Sequence, residues 1–317
     1  MAATARLASR ARPTSRPNPG VACIIVKGGR VLSTGCTREG GRPHAEADAL
    51  SRLEPGVARG ATIYVTLEPC AHRSERGPAC SELLSAAGPA RVVIGQRDPD
   101  PRTAGKGIAK LEEAGVGVSL LDDEASYRSL AGFLTRQTRA RPYVTLKLAQ
   151  SLDGCIALAD GTSQWITGEA ARAHCHAMRA RNDAILVGGG TWRADSPRLD
   201  VRLPGLERRS PDRVILTRGV QPDGARVINT PEQIAHLEGV LYLYIEGGAA
   251  TAASFLKADL VDELHLYQAP ILIGGDGLSS LGALSLTDLA DAHGRWTLSE
   301  TRSLGSDRFT AYLRTRT

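Results

Sequence analysis

Apolar and polar positions in the first half of the chain fall into short blocks whose period alternates between two residues and about 3.6. Val21 to Val26 and Arg30 to Thr34 predict a hairpin turning at Lys27-Gly28-Gly29. His44 to Leu53 has helical spacing and is ended by Glu54-Pro55-Gly56. Ala61 to Leu67 is a buried-strand run, and Pro78 to Ala87 a helix with Pro near its first turn and Gly88 after its end. Arg91 to Gly95 predicts a strand, Gly107 to Ala114 a helix, Val116 to Leu121 a strand and Asp123 to Arg139 a helix. Strands joined through helices predict a largely parallel sheet covered on both faces.

The basic segment Arg139-Ala140-Arg141-Pro142 then interrupts the pattern, and the domain boundary is placed there, giving residues 1–140 and 141–317. The alternation restarts with strands at Tyr143 to Ala149, Ala184 to Val187, Arg213 to Thr217, Val240 to Ile245 and Glu263 to Ala269. Helices fall between them, notably Gly168 to Arg181 and Ala249 to Ala258. Both halves therefore read as α/β, and neither repeats the other.

Length agrees, since 317 residues is long for one hydrophobic core. No window reaches the roughly 18 consecutive apolar residues that a membrane span needs. Met1 to Arg16 carries four arginines and no acid, and is read as an amphipathic first helix with Leu7 on its apolar face. A net charge of +5 could serve nucleic acid, but no basic run is interleaved with aromatics, so a phosphorylated small molecule is the expected partner. Six cysteines without a secretory signal point to a reducing cytoplasm.

Two of those cysteines differ from the rest. His44-Ala45-Glu46 opens a helix, Pro69-Cys70 follows a strand, and Cys80 opens the next helix. One imidazole and two thiolates suit Zn²⁺, and three protein ligands leave a fourth position for water. Glu46 stands two residues from His44, placed to shuttle protons without being a ligand. This order of His-x-Glu, Pro-Cys and a second Cys is the signature of zinc nucleobase deaminases. Nine residues separate the cysteines, and this polar loop offers His72, Arg73 or Arg76 to a phosphate or ribose. In the second half, Gly188-Gly189-Gly190-Thr191 and Glu246-Gly247-Gly248 each follow a strand, so a dinucleotide crevice at the strand ends is expected. Neither is a Gly-x-Gly-x-x-Gly fingerprint, which argues against a Rossmann domain.

At these residues the chain resembles the bifunctional deaminase–reductase family of the riboflavin pathway. The resemblance rests on Pro17-Asn18-Pro19, His44-Ala45-Glu46, the run Tyr64 to His72 and Asp98-Pro99-Asp100-Pro101. It continues through Lys147-Leu148-Ala149, Ser151 to Gly154, Ser163 to Thr167, Ala194 to Pro197 with Leu199 and Arg202, and Leu260 to His265. It implies a cytidine-deaminase-like three-layer domain followed by a dihydrofolate-reductase-like domain, with Zn²⁺ and NADPH as cofactors and a homo-oligomeric assembly. Asn18 would contact the pyrimidine, His72 would face the substrate, and Arg76 would take the basic loop position. That loop is about one residue longer than the family's pattern. Ala149, Trp165, Thr191, Asp195, Gly247 and Gly248 would meet NADPH, and Arg218, just past a strand, is the candidate for its 2′-phosphate. Ser163, Arg179, Leu199, Arg202 and Glu246 would meet the ribose phosphate; Ser196 and Asp200 depart from the family's pattern. The implied reactions are deamination of a diaminopyrimidinone ribosylamino phosphate and then reduction of its ribose. Two rivals remain: a nucleic-acid base deaminase with a non-catalytic C-terminal half, and a zinc module without catalysis.

Overall fold

In the computed structural model, which describes residues 1–73, 77–219 and 223–316, the chain divides into two units, Met1–Arg141 and Pro142–Thr317. The first unit runs α1 (Ala2–Arg10), β1 (Ala22–Lys27), β2 (Arg30–Cys36), α2 (Ala45–Leu50), β3 (Thr62–Leu67), α3 (Cys80–Ala87), β4 (Arg91–Gln96), α4 (Lys106–Glu113), β5 (Gly117–Leu120) and α5 (Glu124–Arg139). Its sheet has the order β2-β1-β3-β4-β5. The sheet is mixed rather than largely parallel: β1 is antiparallel to β2 and β3, while β3, β4 and β5 are parallel. The physical reason is the hairpin, since so short a connection can only reverse the chain, whereas parallel neighbours need a helical crossover.

Helix α5 packs on α1 and on β3, and α2 packs on β1 and β2 and touches α3, which in turn contacts α4. Ile25, Ile63, Val65 and Ile94 from the strands meet Ala49, Leu84, Leu111 and Leu130 from the helices in one core. The first helix buries Thr4, Ala5 and Ala8, and Leu7 is only half-buried, so its inner face is one of small residues. Because β3 and β4 are parallel, their carboxyl ends lie side by side, and the segments that leave them carry Cys70 and Asp98 to the same rim.

The second unit runs β6 (Tyr143–Gln150), β7 (Cys155–Ala157), α6 (Glu169–Arg179), β8 (Ala184–Gly188), α7 (Gly189–Asp195), β9 (Asp212–Leu216), β10 (Arg226–Ile228), β11 (Tyr242–Ile245), α8 (Ala249–Lys257), β12 (Glu263–Gln268), β13 (Leu278–Ser279), β14 (Trp296–Leu304) and β15 (Asp307–Arg314). Its eight-stranded sheet has the order β10-β9-β8-β11-β6-β12-β15-β14, parallel up to β12 and antiparallel over the last pairings. Strand alternation separates two cores. Leu146, Leu186, Leu243 and Ile245 pack with Phe255 of α8, while Ile185, Val187, Tyr244, Tyr267 and Phe309 pack with Ala171 and Cys175 of α6. Both faces are covered, which is why β8 and β11 read as unbroken apolar runs. Among the described residues, no helix is long and apolar enough to cross a membrane.

Candidate active sites

His44 is the N-cap residue of α2, Cys70 lies just past β3, and Cys80 is the first residue of α3. Folding brings their donor atoms within 4.8 Å of one another. His44 Nδ1 is 3.3 Å from Cys80 Sγ and 3.6 Å from Cys70 Sγ. Tetrahedral zinc with Zn–N near 2.0 Å and Zn–S near 2.3 Å needs N···S edges of roughly 3.5 Å, so the donor set fits that ion. The Cys80 thiol, with the Cys80 backbone N–H donating at 3.3 Å and His44 alongside, holds Cys70 at about 4 against the opposing effect of burial. This lowered Cys70 thiol lies beside the His44 ring.

His44 and Cys70 line a cavity of about 240 Å³ whose lining also includes Asn18, Glu46, Glu68, His72, Asp98 and Arg102. Glu46 is 3% exposed, and burial raises its carboxyl despite the nearby His44. Asn18 donates from Nδ2 to Gly41 O at 3.0 Å and lies 3.4 Å from His44 Nε2. His72 has a buried Nδ1 with no hydrogen-bond partner among the described residues. Arg76 lies outside the described residues. Arg73 is turned away from the cavity lining into an exposed pair with Glu82 at 2.9 Å. Sequence reasoning missed Arg42 and Arg102, both of which line the cavity. Asp98 and Asp100, part of the motif behind the resemblance, line the same cavity. Burial pushes Asp98 up to about 6, and the Arg102 guanidinium holds Asp100 at about 2.

In the second unit the two glycine turns meet at the carboxyl ends of the neighbouring strands β8 and β11. A Cβ on Gly247 would stand 2.5 Å from Thr251 Cβ and one on Gly188 2.2 Å from Thr251 Oγ1, so only glycine fits either turn. Thr191 lies beside Gly248, where an added Cβ would be 3.6 Å from its hydroxyl. The first turn runs straight into α7, so Thr191 and Asp195 are helical. Ala149 packs against the core under α6, and Trp165 is 64% exposed with Arg172 stacked 4.7 Å above its ring. Arg218 is exposed just past β9.

Arg179 and Glu246 form a buried two-pronged ion pair, with Nε–Oε1 at 2.6 Å and Nη2–Oε2 at 2.9 Å. The remaining Arg179 Nη1 donates to Asp200 O at 2.9 Å, and Arg202 lies 3.6 Å from Asp200 Oδ1. Leu199 is buried beside them, whereas Ser163 is exposed on the loop before α6. Lys147, a residue without an assigned role in the sequence reading, places Nζ 3.8 Å from Glu246 Oε2.

Burial alone would push Glu246 up, but Arg179 and Lys147 overcome it and hold the carboxyl at about 2 instead of 4.5. A depressed carboxylate contributes stability that is fully present above its unfolded pKa and is lost as pH falls through its folded one. The second unit should therefore lose on the order of 3 kcal/mol between about pH 4.5 and pH 2. Acid titration of wild type and Glu246→Gln, followed by near-ultraviolet circular dichroism, checks this; the variant should lack that component of the pH dependence.

Residues 1–96 match the family described as the cytidine and deoxycytidylate deaminase zinc-binding region, and residues 142–309 match the RibD C-terminal domain. The class is thus a deaminase joined to a reductase on one chain. The riboflavin biosynthesis protein RibD of Escherichia coli is 38% identical over 97% of this chain and 96% of its own, and that of Mycobacterium tuberculosis 36% identical over 93% and 90%. Among solved structures, Acinetobacter baumannii RibD superposes with a TM-score of 0.88 at 32% identity, covering 99% of this chain and 97% of its own. The Thermotoga maritima diaminohydroxyphosphoribosylaminopyrimidine deaminase/5-amino-6-(5-phosphoribosylamino)uracil reductase gives 0.87 at 29%, with the same coverage. The chain belongs to the RibD family, the bifunctional deaminase–reductases of riboflavin biosynthesis.

Proposed function

We propose that the first unit deaminates a diaminopyrimidinone ribosylamino 5′-phosphate and that the second then reduces its ribose to ribityl. The observation that carries the reading is the convergence of the His44, Cys70 and Cys80 donor atoms, with His44, Cys70 and buried Glu46 lining one cavity. His44, Cys70 and Cys80 would hold zinc, which when bound lowers the pKa of a water toward neutrality. Glu46 moves protons between that water, the ring nitrogen and the departing ammonia, a task suited to a carboxyl that burial favours in its protonated form. Asn18 orients the pyrimidine, while His72 and Arg76 serve its polar substituents and ribose phosphate.

NADPH, when bound in the second unit, supplies a hydride to C1 of the ribose in its open form. Ala149, Trp165, Thr191, Asp195, Gly247 and Gly248 hold that cofactor. Ser163, Leu199, Arg202 and the Arg179–Glu246 pair hold the sugar phosphate, Glu246 through hydroxyls and the arginines through the phosphate. Residues 1–140 and 141–317 thus act as separate catalytic domains, in the cytoplasm and as a homo-oligomer, on a small molecule rather than a nucleic acid.

NADPH consumption tests the reading. It should follow addition of the diamino substrate to zinc-loaded protein, fail after zinc is chelated, and return when deaminated substrate is supplied. Absence of NADPH consumption on deaminated substrate would overturn the reductase assignment. For the 2′-phosphate, Arg218→Ala should weaken NADPH binding by ~10- to 150-fold, the worth of one charge-assisted hydrogen bond, and leave NADH nearly unchanged. Titration of both nucleotides decides it, since equal losses would move the 2′-phosphate site elsewhere.

A further inference from the structure

The carboxylate of Glu68 has no assigned role in the chemistry above, yet it is 2% exposed and lines the same cavity. Each of its hydrogen-bond partners among the described residues is a backbone N–H. Oε2 accepts from Asp98 at 3.3 Å and Gly105 at 3.1 Å, and Oε1 from Gly107 at 3.0 Å and Ile108 at 3.2 Å. Gly105 is the N-cap residue of α4 and makes no side-chain cap, so Glu68 satisfies the first-turn amides of that helix from another element. Asp98, at the other end of the loop, is tied to the same side chain. One carboxylate therefore fixes both ends of residues 98–108.

That loop supplies Asp98, Asp100 and Arg102 to the wall of the cavity that His44 and Glu46 also line. Its internal bonds are made as well: Asp98 Oδ1 accepts from Asp100 N at 2.9 Å, and Asp100 pairs with Arg102. Backbone approach is close enough that a Cβ on Gly107 would stand 2.0 Å from Pro69 O and 3.2 Å from Glu68 Cγ. Two residues beyond Glu68 on the same extended segment is Cys70. The wall and a metal-ligand candidate are thus held in register through a single short stretch, Glu68-Pro69-Cys70.

We propose that Glu68 is a positioning residue for deamination: it sets the distance between the 98–102 wall and the Cys70 side of the cavity, and so governs substrate binding without touching the reacting atoms. The proposal rests on the deaminase reading of the first unit. In Glu68→Gln one oxygen keeps two of the four amides, and the new NH₂ faces the other two donors, so the wall is released at one end. Replacing charge-assisted bonds in this way should raise KM for the diamino substrate about tenfold or more, with kcat roughly unchanged.

The test uses the full chain, with zinc content, KM and kcat for deamination, and reduction of deaminated substrate measured on wild type, Glu68→Gln and Gly107→Ala. The second variant displaces the wall through the Pro69 carbonyl and crowds Glu68 without removing its charge. Both are expected to retain zinc at the wild-type ratio and wild-type reduction while KM rises. Wild-type KM in both variants overturns the proposal, and so does zinc falling in step with activity, which assigns Glu68 to fold maintenance alone. Wild type that fails to deaminate at all overturns the deaminase reading instead.

Discussion

Glu46→Gln is expected to keep its zinc and to lose deamination by at least ~10²- to 10⁴-fold, the usual contribution of a positioned general acid–base group. The substitution is nearly isosteric, so the cavity and the His44–Cys70–Cys80 cluster should persist; what disappears is a group that can both take and return a proton. Burial already raises the Glu46 carboxyl, which makes it a poor structural anion and a good proton carrier. Reduction of already deaminated substrate should be untouched, because its residues lie in 142–317. Metal analysis beside the two separate turnover assays checks all three statements. Near-normal deamination by the variant would remove Glu46 from the mechanism.

Loss of a ligand has a different signature. His44→Ala or Cys80→Ser should lose both zinc and deamination, because among the described residues only three protein donors converge and removing one leaves two. Cys80→Ser also removes the thiol that, with the Cys80 backbone N–H, holds Cys70 low. Stoichiometric zinc in both variants would show the ligand assignment to be wrong. Comparing the two experiments separates holding the metal from moving the proton, since Glu46→Gln abolishes only the second.

The features legible in the sequence were those whose chemistry is written in local spacing. His44, Glu46, Cys70 and Cys80 stand at helix starts or strand ends, where side chains project from fixed backbone, and the structure gathers the three ligand candidates within 4.8 Å of one another, with Glu46 in the cavity that His44 and Cys70 line. Strand and helix placements followed for the same reason wherever a clean period existed. The exceptions include the short strands β7, β10 and β13 and the C-terminal hairpin β14–β15, whose residues Trp296 to Leu304 are half-buried or exposed and too polar for a regular alternation. Glycines at 188–190 suggest a turn after the strand, and α7 begins within it at Gly189 and places Thr191 in a helix.

Contacts between distant segments were not legible. Glu68 acquires its meaning from amides thirty to forty positions away. Arg102 looks like any loop arginine until the fold turns it to the cavity. For Lys147 a signal did exist: it is the one charged residue in an otherwise apolar or neutral strand run, and pairing places it opposite His265 on the face that carries Tyr267. An inward lysine in a central strand needs an anion, and Glu246 is there.

The most direct test of two successive reactions on one chain is mass analysis of products from the diaminopyrimidinone ribosylamino 5′-phosphate, with NADPH first withheld and then added. Without NADPH the account predicts a product in which one amino group has been replaced by oxygen, and nothing further. With NADPH it predicts that this product gains two hydrogens and its ribose becomes ribityl. Unchanged substrate in both mixtures, or reduction that precedes loss of the amino group, would contradict it.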